Sequence, residues 1–310
     1  MIYMTNKIVA IQGDNLSKIN ANTDTTMFLA NEAQKKGLRI FYYYPKNISS
    51  INNKIIAKGF FLKIDYKSKK LTKILSNKTL ELTKCRYVLI RQDPPFNLEY
   101  ISTTFLLDKV IGKTKVINNP TSIRNISEKF YSMNFVKYMV DTIFTKDIEI
   151  ILKFIKKYKI AVIKPVHSYG GNDISLVDIK TKKKIIQKIL NKHGHIMCQK
   201  FLKNIKYGDK RVFIINGKIC GAISRVPKKG SILSNMSKGA KPKLINLTSK
   251  ENKISNIVAN KLKSDGVYFA GIDFIDGKLN GDINVTSPTG LKTYYDLSKI
   301  NLAKTFWKGL

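Results

Sequence analysis

The 310-residue chain holds 56 lysine and arginine residues against 21 aspartate and glutamate, a formal net charge of +35, with 43% hydrophobic and 10% aromatic residues. Such content excludes a disordered chain, and the length predicts two or three domains with sizeable cores; no apolar run approaches the ~20 residues that span a membrane, and residues 1–11 lack a leader's long apolar segment, which predicts a cytoplasmic protein. The charge is almost all lysine spread along the chain beside abundant isoleucine and asparagine, a pattern that biased nucleotide composition in the source genome gives without a binding role. Without basic–aromatic repeats or a reading helix, nucleic-acid binding is the weaker reading and solvated faces the favoured one, and the positive field would also attract an anionic small substrate.

Residues 7–12 contain an Ile-Val-Ala-Ile strand followed by Gly13-Asp14-Asn15, and one glycine does not make a dinucleotide fingerprint. Thr23 and Asp24 cap a helix through Met27, Phe28, Ala30 and Ala33 that stops at Gly37, and a strand follows over 38–44. Strand, helix, strand predicts a parallel α/β sheet. Residues 46–82 read as alternating short strands rich in lysine. Lys67, Lys69 and Lys70, like Lys156 with Lys157 and Lys182 to Lys184 further on, read as solvated faces. Residues 85–91 form a buried strand that ends at Arg91 and enters the rigid turn Gln92-Asp93-Pro94-Pro95-Phe96. Ligands of open α/β sheets bind beyond the carboxyl ends of strands, where Asp14 and Arg91 lie. Each is either a turn charge or a ligand contact, and the guanidinium fork of Arg91 matches a carboxylate.

Asn118-Asn119-Pro120 marks a boundary, after which Ser127 and Lys129 are placed in a helix with Ile123, Ile126 and Phe130. A strand from Ile160 ends at Lys164-Pro165, and the loop after it carries Gly170-Gly171. Such a loop can bring backbone N–H groups to phosphate oxygens or merely turn a hairpin, and it is not a Walker A loop. Ile185, Ile186, Ile189 and Leu190 make the stripe of a surface helix. His193, His195 and Cys198 are too few for a zinc site, and Cys85, Cys198 and Cys220, without a CxxC, read as reduced thiols. Residues 197–202 read as a strand entering a new unit. Asp209-Lys210-Arg211 opens another strand, Asn216-Gly217 turns it, and the return strand reaches Arg225. Residues 228–243 read as a mobile loop. Thr248 to Glu251 is a capping box for a helix with Ile254, Ile257, Val258 and Leu262 inward.

Residues 271–289 then predict two short strands turned by Asp276-Gly277. Asp282 and Asn284, two apart, point to one face, and the hairpin brings Asp273 opposite them. Three hard oxygen side chains on one face suit Mg²⁺ completed by substrate phosphates, or they cap the turn.

Taken in order, Arg91-Gln92-Asp93-Pro94-Pro95-Phe96, Lys129, Lys164-Pro165 with Gly170-Gly171, Gln199, Asp209-Lys210-Arg211, Arg225, Asp273 and the run Asp282 to Thr289 resemble the bacterial glutathione synthetases, which are ATP-grasp ligases. The resemblance covers nearly the whole chain. It implies an α/β (α+β) protein: an N-terminal parallel α/β pre-ATP-grasp domain at 1–120, a central ATP-grasp subdomain with the phosphate loop at 121–200, and a C-terminal subdomain with the metal site at 201–310. It implies ATP-dependent joining of γ-glutamylcysteine and glycine into glutathione through an acyl phosphate, releasing ADP and phosphate. The alternative is another ATP-grasp carboxylate–amine ligase with different substrates.

The resemblance also implies roles. Lys129, Lys164, Gly170, Gly171, Gln199, Lys200, Phe201, Leu202, Asp209 and Arg211 would hold ATP, with Asp209 on the ribose. Asp273, Asp282 and Asn284 would hold Mg²⁺, or Mn²⁺ in its place. Asp14, Arg91, Asn235, Ser287, Pro288 and Thr289 would face the peptide and glycine. Arg225 and Lys164 would steady charge during transfer. A homotetramer is implied too. Three residues depart from the family pattern: Asp282 replaces a glutamate after a one-residue insertion, Leu233 replaces an arginine, and Ser168 replaces a glycine.

Overall fold

The computed structural model describes residues 7–310; residues 1–6, part of the stretch read for a leader, lie outside it. Three sheets follow one another along the chain. In the first, β1 (Ile8–Gln12) and β2 (Arg39–Tyr43) are joined by α1 (Thr25–Lys35) and pair in parallel. Asp24 caps α1 by accepting from Met27 N at 2.6 Å. The antiparallel arm comprises β3 (Ile48–Ile51), β4 (Lys54–Ile64) and β5 (Thr72–Glu81). These are one short and two long strands, not an alternation of short ones. Asn52 and Asn53, with φ of 48° and 62°, turn the chain once, and β4 then runs 11 residues straight through Gly59. The strands β6 (Tyr87–Ile90) and β7 (Lys115–Ile117), joined by α2 (Leu98–Asp108), extend the parallel part on the other side of β1. The strands β1, β2 and β6 are buried nearly throughout because helices cover both faces.

The short α3 (Pro120–Asn125) stops before Ser127 and Lys129, which therefore do not share its helix. Ile126 leaves helical geometry at φ −104°, ψ 89°, and Lys129 instead opens the 3₁₀ segment Phe130–Tyr138. The cause is long-range pairing. Glu128 O accepts from Ile283 N at 3.1 Å, and its carboxylate accepts from Val285 N, Thr286 N and Thr286 Oγ1. This pairing pulls residues 126–128 out straight.

The second sheet is antiparallel, built from β8 (Thr142–Thr145), β9 (Ile160–Pro165), β10 (Ser175–Asp178) and β11 (Ile196–Lys200) in the order β10-β9-β11-β8. Its helices are α4 (Ile148–Tyr158) and α5 (Lys183–His193). The strand around Gln199 therefore completes this sheet and opens no new unit. On α5 the buried residues are Ile186 and Leu190, while Ile185 points to solvent.

The third sheet runs β14-β13-β12-β15-β16, from β12 (Asp209–Ile215), β13 (Lys218–Val226), β14 (Lys241–Leu244), β15 (Phe269–Ile275) and β16 (Lys278–Asn284). Both Asn216-Gly217 and Asp276-Gly277 take positive φ, as two-residue hairpin turns require. The stretch 228–243 is not all loop: a 3₁₀ turn at Met236–Lys238 leads into β14. The capping box at Thr248 and Glu251 opens α6 (Ser249–Ser264), whose inward residues include Ile254, Val258 and Leu262, with Ile257 outside. The chain ends with α7 (Leu291–Ser298) and α8 (Leu302–Lys308). They return to the first layer, where Trp307 Nε1 donates to Leu29 O at 2.8 Å. One core joins α1, α7, α8 and the first sheet to Phe213, Ile223 and Phe269 of the third.

Cys85 and Cys198 are buried free thiols and Cys220 is half-buried. The lysine clusters singled out in the sequence are exposed. Among the described residues no helix is long and apolar enough to cross a membrane.

Candidate active site

A cleft of about 860 Å³ opens between the second and third sheets and runs to the carboxyl ends of β1 and β6. Every site residue expected from the sequence lines it except Pro288. Pro288 is buried behind the wall, and its carbonyl accepts from Arg91 Nη2 at 2.9 Å.

At one end Val140, Val162, Leu202, Ile275 and Leu279 make an apolar slot beside Gln199, Lys200 and Phe201. Gln199 is buried and donates to Thr142 Oγ1 at 3.0 Å. An apolar slot rimmed by strand backbone suits a flat heteroaromatic ring.

At the centre two buried ammonium groups converge on Asp282. Lys129 Nζ lies 3.5 Å from Oδ1 and Lys164 Nζ lies 3.3 Å from Oδ2. Lys129 also donates to Ser168 O at 2.6 Å, which ties it to the loop of Gly170 and Gly171. Burial opposes ionisation of Asp282, but Lys164 and Lys129 outweigh it and hold its carboxyl down at about 2. Burial lowers the Lys164 ammonium from its usual value, with Asp282 acting the other way. Lys129 and Asp209 are both buried.

Behind this cluster lies an ion-pair chain on the third sheet. Arg211 grips both oxygens of Asp273, Arg225 grips both oxygens of Asp209, and Arg225 Nη2 also reaches Asp273 Oδ2 at 2.9 Å. Strand register sets this up, since Asp209 pairs with Arg225 and Arg211 with Asp273. Both Asp209 oxygens go to Arg225, so in this state the carboxylate orients that guanidinium. Burial raises the Asp209 carboxyl. Burial also works against Asp273, but Arg211 and Arg225 hold its carboxyl below the usual range.

The expected alignment of Asp273 with Asp282 and Asn284 is modified by a bulge. Ile272 pairs with Ile283 and Phe274 with Leu279, so Asp273 alone faces Asn280, Gly281 and Asp282. Ordinary alternation keeps Asn280, Asp282 and Asn284 on the half-exposed face of β16. Asn284 Nδ2 donates to Gly271 O at 3.1 Å, which leaves its carbonyl oxygen as the free group. Two ionised carboxylates and an amide oxygen fit a hard divalent cation. Among the described residues no three His, Cys, Asp or Glu side chains form a metal cluster by themselves, so phosphates would have to complete the coordination.

At the other end Arg91 is buried and makes no ion pair among the described residues. Its Nε donates to Thr26 Oγ1 at 3.1 Å. Burial lowers its pKa from the usual value, with Asp93 and Asp24 acting the other way. Asp14 Oδ2 accepts from Asp93 N at 2.7 Å, and burial raises the Asp14 carboxyl. Asn235, Ser287 and Thr289 line the wall between, and Ser287 Oγ donates to Arg91 O at 3.3 Å.

A family model described as the prokaryotic glutathione synthetase N-terminal domain matches residues 8–124, and one described as the prokaryotic glutathione synthetase ATP-grasp domain matches residues 128–299. The chain belongs to the prokaryotic glutathione synthetase family. It is 35% identical over 310 residues to the glutathione synthetase of Bradyrhizobium diazoefficiens, covering 96% of each chain. It is 32% identical to that of Buchnera aphidicola, covering 91% of this chain and 89% of the relative. Among solved structures it resembles the D-cycloserine synthetase DcsG (TM-score 0.67, 10% identity, covering 97% of this chain and 99% of that one). It also resembles the ATP-grasp ligase PsnB in a complex with Mg and ADP (TM-score 0.65, 12% identity, covering 99% and 98%). At such identities the likeness shows the ATP-grasp fold alone. With that fold, family membership makes the chain an ATP-dependent, ADP-forming ligase of the glutathione-making kind.

Sequence reasoning missed Glu128, Asn280 and the Thr25–Thr26 hydroxyls. Thr25 Oγ1 accepts from Gly290 N at 2.9 Å and so fixes the turn after Thr289. Glu128 sat beside a recognised lysine, and the inserted residue before Asp282 was the signal that could have exposed Asn280.

Proposed function

We propose that this chain joins γ-glutamylcysteine to glycine through an acyl phosphate, at the residues just described. The observation that carries this reading is the meeting of Lys129, Lys164 and Asp282, which come from the linker, the second sheet and the third sheet, in one cleft that ends at Arg91. The adenine fits the apolar slot beside Gln199 to Leu202. Lys129 and Lys164 neutralise the triphosphate, and the N–H groups near Gly170 and Gly171 cover it. Asp273, Asp282 and Asn284 would hold Mg²⁺ or Mn²⁺, which supplies charge neutralisation between the phosphates.

Arg91, a buried cation without an ion-pair partner among the described residues, takes a carboxylate of the peptide, and Asp14 faces its ammonium. The cysteinyl carboxylate attacks the γ-phosphorus, the bond to the β-phosphate oxygen breaks and ADP leaves. The glycine amine then attacks the acyl carbon, loses a proton and expels phosphate. Arg225, aimed by Asp209 and Asp273, is placed to steady the transferring charge. Because the substrates are small and anionic, the spread lysine charge acts as an attractive field and not as a nucleic-acid surface. A homotetramer working in the cytoplasm completes the proposal and is checked by light scattering and fractionation.

The test is ADP release with each substrate alone and with both. ADP and glutathione formed together only when γ-glutamylcysteine, glycine and ATP are all present supports the reading. Faster turnover with another acceptor amine keeps the ligase class and overturns the substrate assignment.

A further inference from the structure

Lys164 Nζ has three hydrogens and three neighbours. It donates to Asn280 O at 2.8 Å, to Asn280 Oδ1 at 2.7 Å and to Asp282 Oδ2 at 3.3 Å. Two of the three short contacts therefore belong to one residue. Asn280 also donates through Nδ2 to Asp282 Oδ2 at 3.3 Å, so its amide braces the lysine and the carboxylate together.

Ordinary strand alternation already turns positions 280 and 282 to one face of β16, and the bulge sets the three residues 280 to 282 opposite Asp273 alone. Gly281 sits at its centre. Its φ is +81°, and a Cβ there would stand 2.7 Å from Met197 Cε and 2.9 Å from Met139 Cε.

We infer that Asn280 is a positioning residue that aims Lys164 at the nucleotide phosphates. This rests on the proposed function. Asn280 keeps two of the ammonium's hydrogens whether or not nucleotide is bound. The third, longest contact, to Asp282, is the one exchanged for a phosphate oxygen. Asp282 can then turn to other ligands while Lys164 stays in place, because the lysine is held from the main chain and side chain of a strand and not by the carboxylate alone. Asparagine chemistry suits this position. Its oxygen accepts from the lysine and its nitrogen donates to the carboxylate, with no added charge to repel phosphate.

The experiment measures ATP and AMP affinity by calorimetry, in Mg²⁺-containing buffer, for the wild-type protein, Asn280→Ala, Lys164→Met and the double variant. AMP offers the same base and ribose without the phosphates that Lys164 would reach. If Asn280 acts through Lys164, Asn280→Ala weakens ATP about tenfold and leaves AMP within about twofold. On the Lys164→Met background the same change adds nothing. Asn280→Leu, of similar size and lacking the acceptor, repeats the measurement should the alanine variant fail to fold. Equal weakening of ATP and AMP, an unchanged ATP affinity, or full additivity with Lys164→Met would overturn the inference alone. A wild-type protein that binds no ATP would overturn the functional reading with it.

Discussion

Arg211 donates to both carboxylate oxygens of Asp273, through Nη2 at 2.8 Å and through Nε. Asp273 is thus the buried counter-charge of Arg211 and, through its second oxygen, of Arg225. The sequence presents it as an ion ligand or a turn cap, and for either an alanine variant should fold as the parent does. The structure adds a structural cost. Asp273→Ala should abolish Mg²⁺-dependent turnover and also lower stability by about 3 kcal/mol, since it strands buried guanidinium charge. Urea denaturation checks the second part, with Asp273→Asn expected to lose less.

Arg91 gives the opposite sign. Its guanidinium is buried without an ion pair among the described residues, held by Thr26 Oγ1 and Pro288 O. Arg91→Met removes an uncompensated buried charge, so stability should hold or rise. The KM for γ-glutamylcysteine should rise about 100-fold, the scale of a lost charge-assisted pair, while ATP affinity stays within about twofold. A parallel loss of ATP affinity would remove Arg91 from the peptide end.

These two residues show what a sequence discloses. Asp273 and Arg91 are both legible as site residues because short motifs surround them. Their partners are not, since Arg211 meets Asp273 only through the register of β12 on β15. The parallel strands around β1 were legible from unbroken apolar runs. The 127–129 segment was misread as helix because Glu128 is claimed by Val285 and Thr286, some 157 residues away, and local periodicity carries no trace of that. The bulge at Asn280–Gly281 was visible only as one residue too many. That a lysine is held there by two oxygens of one asparagine needs three dimensions.

Glu251 supplies a pH dependence away from the cleft. Burial opposes its ionisation, but Lys210, whose Nζ lies 2.8 Å from Oε2, and the Thr248 donors outweigh it and hold its carboxyl below 4.5. A depressed carboxyl contributes stability that is present above its unfolded value and is lost as pH falls through the folded one. Stability should therefore decline as pH drops below about 4.5. Glu251→Gln should cost about 1 kcal/mol at about pH 7 and flatten that decline. Thermal melts from about pH 3 to pH 7 report both.

Burial raises the thiols of Cys85 and Cys198 to about 12. At about pH 8 both should resist iodoacetamide in the folded protein, leaving half-buried Cys220 as the first site labelled. Peptide mass mapping after partial alkylation decides the order. Early labelling of Cys198 would mean that the second sheet opens at β11.

The central claim is that a peptide carboxylate is phosphorylated in this cleft before the amine attacks. The most direct measurement uses γ-glutamylcysteine carrying ¹⁸O in its cysteinyl carboxylate, with glycine, ATP and Mg²⁺. An acyl phosphate requires one ¹⁸O atom to appear in the released phosphate for each glutathione formed. Phosphate free of label, or label recovered in AMP, would contradict the account.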